Sequence, residues 1–240
     1  MVAEGRRLVE DALGAGARVE AVLLAADAAR GKAAPLVEEA GRRGIRAEVV
    51  ARRTFDALAD TETPSGVLAV VRWTPVTLEE ARPPAGVGGG RRVLVIDGVQ
   101  DPGNVGTMIR TAFALGAYLT VALEGTADVR SPKVVRGSMG ALFRHQVAVA
   151  GFDEWRGWAA RNRLATWVAG MAGGRPDQAG AAPPPADLAL VIGNEGQGAR
   201  AEWRDVPHRD VTIPMPGGAE SLNAAVAAGI LLYEVARAAG

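Results

Sequence analysis

The stretch that decides the fold runs Val93-Leu94-Val95-Ile96-Asp97-Gly98-Val99-Gln100-Asp101-Pro102-Gly103-Asn104-Val105-Gly106. Val93 to Ile96 is a short unbroken apolar run and reads as a strand buried on both faces. From Val105 to Leu115 the apolar positions recur at helical spacing, so strand passes to helix through a loop of aspartate, glycine, proline and asparagine. That unit opens a mostly parallel sheet. The loop lacks the G-x-G-x-x-G spacing of dinucleotide readers, and neither a G-x-x-x-x-G-K-[ST] loop nor a G-x-S-x-G elbow occurs elsewhere.

Working outward, strands are expected at Leu119–Leu123, Gln146–Ala150, Ala165–Val168, Leu188–Ile192 and Asp210–Ile213. Helices are expected at Lys133–Leu142, Asp153–Arg161, Ala199–Arg204 and Leu222–Ala238. Six strands separated by helices predict an α/β domain over residues 91–240, its mostly parallel sheet covered on both faces. A low-complexity loop, Gly173 to Pro185, interrupts it. Residues 74–90 are rich in proline and glycine and read as a linker. Residues 1–73 form a smaller α/β unit: helix Glu4–Leu13, strand Val19–Leu24, helix Pro35–Arg43, strand Ile45–Val50, short helix Thr54–Ala59, loop Thr61–Gly66 and strand Val67–Trp73.

Composition narrows the chemistry. The 240 residues contain no cysteine, which excludes a disulfide scaffold, a zinc–thiolate site and a cysteine nucleophile. The two histidines, His145 and His208, have no metal-ligand spacing, so no metal is expected. No apolar run reaches the roughly 18 residues of a membrane span, and the charged N-terminus does not resemble a signal peptide; a cytoplasmic protein is expected. Basic and acidic residues balance at 27 each, so a polyanionic partner must meet a local patch.

Ligands of open α/β sheets bind beyond the carboxyl ends of the strands, and three loops there stand out. The first is the one quoted above. The second is Gly193-Asn194-Glu195-Gly196-Gln197-Gly198, and the third is Pro214-Met215-Pro216-Gly217-Gly218-Ala219-Glu220-Ser221-Leu222-Asn223. Asn104 and Ser221 sit where helix N-caps belong. Arg110 has Gly106 and Ala114 four residues away on its helix, small residues that would leave a hollow for a phosphate or sugar; a solvated arginine is the plainer alternative. Glycines beside Glu195 let a ligand approach the main chain, or simply make a tight turn. Arg130, Lys133, Arg136 and Arg144 lie in an interval without an acid, either a track for a phosphate backbone or a solvated basic face.

In this order and at these positions the three loops resemble the motifs of the SpoU (TrmH-like) RNA ribose 2′-O-methyltransferases, in the SPOUT superfamily. The matching residues are Asp101 to Gly106 with Arg110 and Thr111, then Gly193 to Gly196, then Ile213-Pro214-Met215 with Ser221 to Val226. Ser131 to Ala141 extends the likeness, and residues 1–73 resemble the ribosomal-protein-like RNA-binding domain often fused in front. The resemblance implies a trefoil knot, a homodimer through the C-terminal domain, S-adenosylmethionine as methyl donor, and RNA as substrate, not DNA or membrane. It implies a cofactor held by main-chain groups of Gly193, Ile213 and Leu222, with Asn194, Met215, Ser221 and Asn223 around it. Arg110, Glu195 and Asn104 become the catalytic candidates, Arg110 as general base or as phosphate clamp, and Arg130, Lys133, Arg136 and Arg144 the RNA-binding ones. Large-subunit ribosomal RNA is the favoured target, with transfer RNA, or a non-catalytic role in ribosome assembly, as alternatives.

Overall fold

The computed structural model describes residues 1–83, 90–174 and 183–238. The smaller unit comprises β1 (Val2–Glu4), α1 (Arg6–Gly14), β2 (Arg18–Ala25), α2 (Ala26–Arg30), α3 (Ala34–Arg42), β3 (Arg46–Val50), α4 (Arg52–Asp56) and β4 (Val67–Arg72). The larger comprises β5 (Arg92–Asp97), α5 (Pro102–Ala114), β6 (Leu119–Leu123), α6 (Pro132–Gly137), β7 (Gln146–Ala150), α7 (Phe152–Arg161), β8 (Ala165–Gly174), β9 (Leu188–Gly193), β10 (Arg209–Val211) and α8 (Ala224–Arg237). No described helix is long and apolar enough to cross a membrane.

The small sheet has strand order β1-β4-β2-β3, with only β2 and β3 parallel. The expected helix from Glu4 is here a strand and then a helix. Val2 to Glu4 pair with Val70 to Leu68, and Gly5 makes the break at φ +111°, a backbone angle that favours glycine. Behind this sheet α1 buries Leu8, Val9, Ala12 and Leu13, the spacing of one helix face.

The large sheet has order β10-β8-β9-β5-β6-β7, every pair parallel. Alternation along β5 sends Leu94 and Ile96 into a core shared with α5 and α8, and Val93 and Val95 into a second core with Trp155 and Trp158 of α7. Two covered faces explain why the strand reads as a continuous apolar run. The chain order reverses at β5, which has β6 on one side and β9 on the other, so the switch point falls where β5 and β9 end.

Three expected elements differ. Residues 74–83 of the segment read as a linker pack on the large sheet: Val76 bridges to Ala148, and Leu78 and Ala81 are buried; residues 84–89 lie outside the described ones. Of the low-complexity loop, Gly173 and Gly174 continue β8, while 175–182 also lie outside the described residues. The helix expected over Lys133–Leu142 ends at Gly137, passes Met139 and Gly140 at φ 48° and 81°, and resumes as a 3₁₀ turn at Ala141–Phe143. Packing explains the interruption. A Cβ on Gly106 would lie 2.6 Å from the Val134 carbonyl and 2.9 Å from Gly137, so α5 and α6 touch backbone to backbone. Beyond that crossing the chain bends so that Gly140 meets Asp11 of the small unit.

His145 is buried, its Nε2 2.8 Å from the Thr120 hydroxyl, and burial depresses its pKa to about 4 from 6.5. Between those values the unfolded chain takes up a proton that the folded chain refuses, so stability falls as pH drops through this window. The loss approaches about 3 kcal/mol below pH 4. Urea unfolding across this range should show that loss in the wild-type protein and a flatter profile in His145→Asn. Parallel profiles would contradict the assignment.

Candidate active site

Because β5 and β9 run parallel and in register, Asp97 and Gly193 face each other at their last paired position, and two of the singled-out loops leave the sheet side by side. The second loop closes on itself at once. Asn194 and Gly198 exchange two backbone hydrogen bonds of 2.9 Å, and Asn194 Oδ1 accepts from the amides of Gly196 and Gln197 at 2.9 and 3.1 Å. Only glycine fits at 193. A Cβ there would lie 2.1 Å from the Ala199 nitrogen and 2.2 Å from the Gly198 carbonyl carbon.

The stem of this turn is clamped by a buried carboxylate. Asp97, 2% exposed, accepts from the Arg200 amide at 2.9 Å, from Arg200 Nε at 2.7 Å and from Trp203 Nε1 at 2.7 Å. Arg200 also donates to the Glu124 carbonyl at 2.8 Å and lies 5.2 Å from the Phe152 ring centroid. Burial opposes the guanidinium's charge, yet hydrogen bonds to Asp97 and Glu124 outweigh it and raise the pKa. Asn194 Nδ2 adds a stitch to the first loop by donating to the Gly98 carbonyl at 2.9 Å.

Both expected caps are corrected. Asp101, not Asn104, caps α5: its carboxylate accepts from the Asn104 amide at 2.8 Å, with Pro102 in the first turn. That amide, then Lys133, holds the Asp101 pKa below the usual carboxylate range. Asn223, not Ser221, caps α8, accepting from Ala225 and Val226 at 3.0 and 3.2 Å. Each cap frees a side-chain amide. Asn104 Nδ2 donates to Glu195 Oε1 at 2.7 Å, and Asn223 Nδ2 donates to Asn104 Oδ1 at 2.9 Å. Glu195, Asn104 and Asn223 thereby connect all three loops.

Against this junction lies a cavity of about 670 Å³. Gly193, Asn194, Ile213, Met215, Ser221 and Leu222 line it, as does Glu195; Asn223, expected with them, is not part of the lining and instead holds Asn104. Sequence reasoning missed Ala169, Gly170 and Met171, midway along β8 just past its pairing with β9, and Ala224, Ala227 and Leu231 of α8. The available signal was their place just after the strand expected at Ala165–Val168 and on a helix rich in small apolar residues.

Arg110 does not line the cavity. It is exposed on α5 and makes no hydrogen bond or ion pair with a described residue. The hollow expected beside it is absent on one side, because Gly106 is buried under α6. The basic interval is not unopposed either: Arg130 pairs with Asp128 at 3.1 Å, Lys133 with Asp101 at 3.3 Å, Arg136 with Asp60 at 2.8 Å and Arg144 with Asp11 at 3.7 Å. Asp128 borders the interval, but the other three partners come from distant segments that a count of charge along the chain cannot see.

Gly193→Ala must open the turn or shift β9, at about 1–3 kcal/mol for such overpacking. Hydrogen exchange at the mutually bonded Asn194 and Gly198 amides should accelerate while amides in the small sheet keep their protection. Unchanged exchange at 194 and 198 would refute the steric argument.

With this geometry in place, comparison with known proteins is specific. Residues 91–233 match the SpoU rRNA Methylase family, and residues 2–73 match the RNA 2′-O ribose methyltransferase substrate-binding domain. A 23S rRNA (guanosine(2553)-2′-O)-methyltransferase of Bacillus subtilis is 34% identical, covering 97% of this chain and 86% of its own. An rRNA methyltransferase of Sinorhizobium meliloti, solved with bound AdoMet, superposes with a TM-score of 0.82 at 28% identity, covering 98% of this chain and 86% of that one. The SpoU methyltransferase AviRb of Streptomyces viridochromogenes, also solved with AdoMet, gives 0.80 at 29% identity, covering 99% and 89%. The chain thus belongs to the SpoU family of S-adenosylmethionine-dependent RNA methyltransferases.

Proposed function

We infer that the protein transfers a methyl group from S-adenosylmethionine to a ribose 2′-hydroxyl of large-subunit ribosomal RNA. The observation that carries this reading is that Glu195, Asn104 and Asn223 tie three distant loops together beside one cavity, which the second and third loops line. The wall suits the donor: the volume lies within the usual range for small-molecule sites, and the described lining residues include carboxylates but no Lys, Arg or His to repel a cation. When bound, S-adenosylmethionine supplies a methyl group on positively charged sulfur. Main-chain groups of Gly193, Ile213 and Leu222 hold it, with Asn194, Met215 and Ser221 in the wall. The names of the relatives, which act on 23S rRNA, favour ribosomal over transfer RNA; a cytoplasmic location is part of the same proposal.

Arg110 is assigned to the RNA. A guanidinium stays protonated at neutral pH, so its fitting role is to clamp a phosphate and stabilise negative charge developing on the ribose oxygen. The hydroxyl proton passes to a phosphate oxygen, a water or Glu195. Asn104 orients Glu195. Arg130 and Lys133, in exposed pairs of small net strength, can exchange their carboxylates for phosphates. Arg136 and Arg144 are engaged by the small unit, and reach RNA only where phosphate displaces Asp60 and Asp11.

The working form is proposed to be a homodimer. Val226, Ile230 and Tyr233 form a row at i, i+4 and i+7 on α8, 50%, 38% and 54% exposed, an apolar stripe that a second copy would cover. A trefoil knot is proposed for the segment that runs past β9 through residues 213–223 into α8. The return of α8 against α5 and β9 supports it.

Arg110→Ala should lower kcat on order of a hundredfold while S-adenosylmethionine affinity stays within about twofold. RNA with 2′-deoxyribose at the target should accept no methyl group from the wild-type protein. Equal losses of turnover and cofactor binding would remove Arg110 from its role, and methylation of the deoxy substrate would move the reaction to the base. Ile230→Asp should halve the mass seen by light scattering; an unaltered dimer would place the interface elsewhere.

A further inference from the structure

The cavity wall carries two carboxylates, Glu195 and Glu220, and its described lining includes no cationic side chain. Glu195 is tied to a neutral group, the Asn104 amide, and neither carboxylate pairs with a described cation. Elsewhere on the surface Asp60, Asp101, Glu124 and Asp128 each face a basic partner, whereas Glu62, Glu154, Glu202 and Asp205 have none among the described residues, so what sets Glu195 and Glu220 apart is their place together on one cavity wall that carries no cation. A pair of acids left without a counter-ion around a concave surface makes it a poor host for a neutral molecule and a good one for a cation.

Methyl transfer changes exactly one such charge. As the bond from carbon to the ribose oxygen forms and the sulfur–carbon bond breaks, the bonding pair stays on sulfur and a positively charged sulfonium becomes a neutral thioether; the hydroxyl proton leaves separately. Donor and product therefore differ by one positive charge and one methyl group, and share the adenosine and amino-acid portions. A wall that reads the shared portions binds both equally and is inhibited by its own product. One that reads the charge releases the product.

We propose that Glu220 is a specificity-determining residue that weights the cavity toward the sulfonium donor and against the thioether product. This rests on the methyltransferase reading above. Glu220 is exposed in the loop between Pro216 and Ser221, at the cavity's wall, and is free of the hydrogen-bonded chain that engages Glu195. It therefore contributes charge without being needed to hold the loops together. An exposed carboxylate beside a unit charge is worth about three- to tenfold in affinity, and salt screens it.

The test is calorimetric binding of S-adenosylmethionine, S-adenosylhomocysteine and sinefungin, whose amine restores a positive charge at the methyl position. Wild-type protein, Glu220→Gln and Glu220→Asp are compared at low and high salt. The expected result is a wild-type preference for the two cationic ligands that falls about three- to tenfold in Glu220→Gln, persists in Glu220→Asp and shrinks with salt, while S-adenosylhomocysteine affinity changes by less than about twofold. Equal weakening of all three ligands would assign Glu220 to a portion they share and overturn the proposal, as would an unchanged ratio. If the wild-type protein binds none of the three, the cofactor reading itself fails and this proposal with it. Thermal melting of both variants checks that the fold is kept.

Discussion

Two parallel strands that end in step determine the rest of this molecule. Asp97 and Gly193 are opposite one another, and each is used to its limit. Gly193 has no room for a side chain because the returning backbone of Gly198 and Ala199 occupies that volume. Asp97 is a buried acid, tolerable because Arg200 donates to it from both main chain and side chain and Trp203 from its indole. The turn between residues 193 and 200 is therefore pinned at both feet. Its lining face is set before any ligand arrives, which lowers the ordering cost of binding.

The polar chain over this base has one consistent assignment. A carboxylate only accepts, so Asn104 must turn its Nδ2 to Glu195 and its Oδ1 away. Asn223 spends its own Oδ1 on two helix amides, which leaves its Nδ2 for Asn104. Aspartate at 104 would set two carboxylates together, and serine is too short to bridge both neighbours. An amide at each position is what the geometry requires, and this is why loops 119 residues apart in the chain can be held in one arrangement.

Much of this was legible in the sequence. Apolar runs gave the six strands of the large sheet because both faces of that sheet are covered, and the three loops were identifiable from their place after strands. The caps were not. Asp101 and Asn104, like Ser221 and Asn223, are pairs of good capping residues within one turn of each other, and only Pro102, favoured at the first helical position, pointed to Asp101. The break after Gly137 was also hidden, since it arises from contact with Gly106 in another helix. Of the cavity residues on β8 and α8, only Ala224 falls within a motif; Ala169, Gly170 and Ala227 are marked only by smallness, and Met171 and Leu231 read as ordinary apolar residues.

The ion pairs bear on how RNA is held. Arg136 has Asp60 and the buried Glu4 around it, and Arg144 has Asp11, all from the small unit. These two arginines dock one domain on the other. The docking is imperfect: Arg136 Nη1 is buried without a hydrogen-bond partner, and its nearest carboxylate oxygen, on Glu4, is 3.8 Å away. A phosphate reaching Arg136 would satisfy that donor but expose the Glu4 and Asp60 charges, so gain and loss nearly offset. Arg110 faces no such exchange. It is solvated and opposed by no described acid, so a phosphate placed beside it would displace only water, which is why the proposed function assigns the phosphate to Arg110 rather than to Arg136 or Arg144.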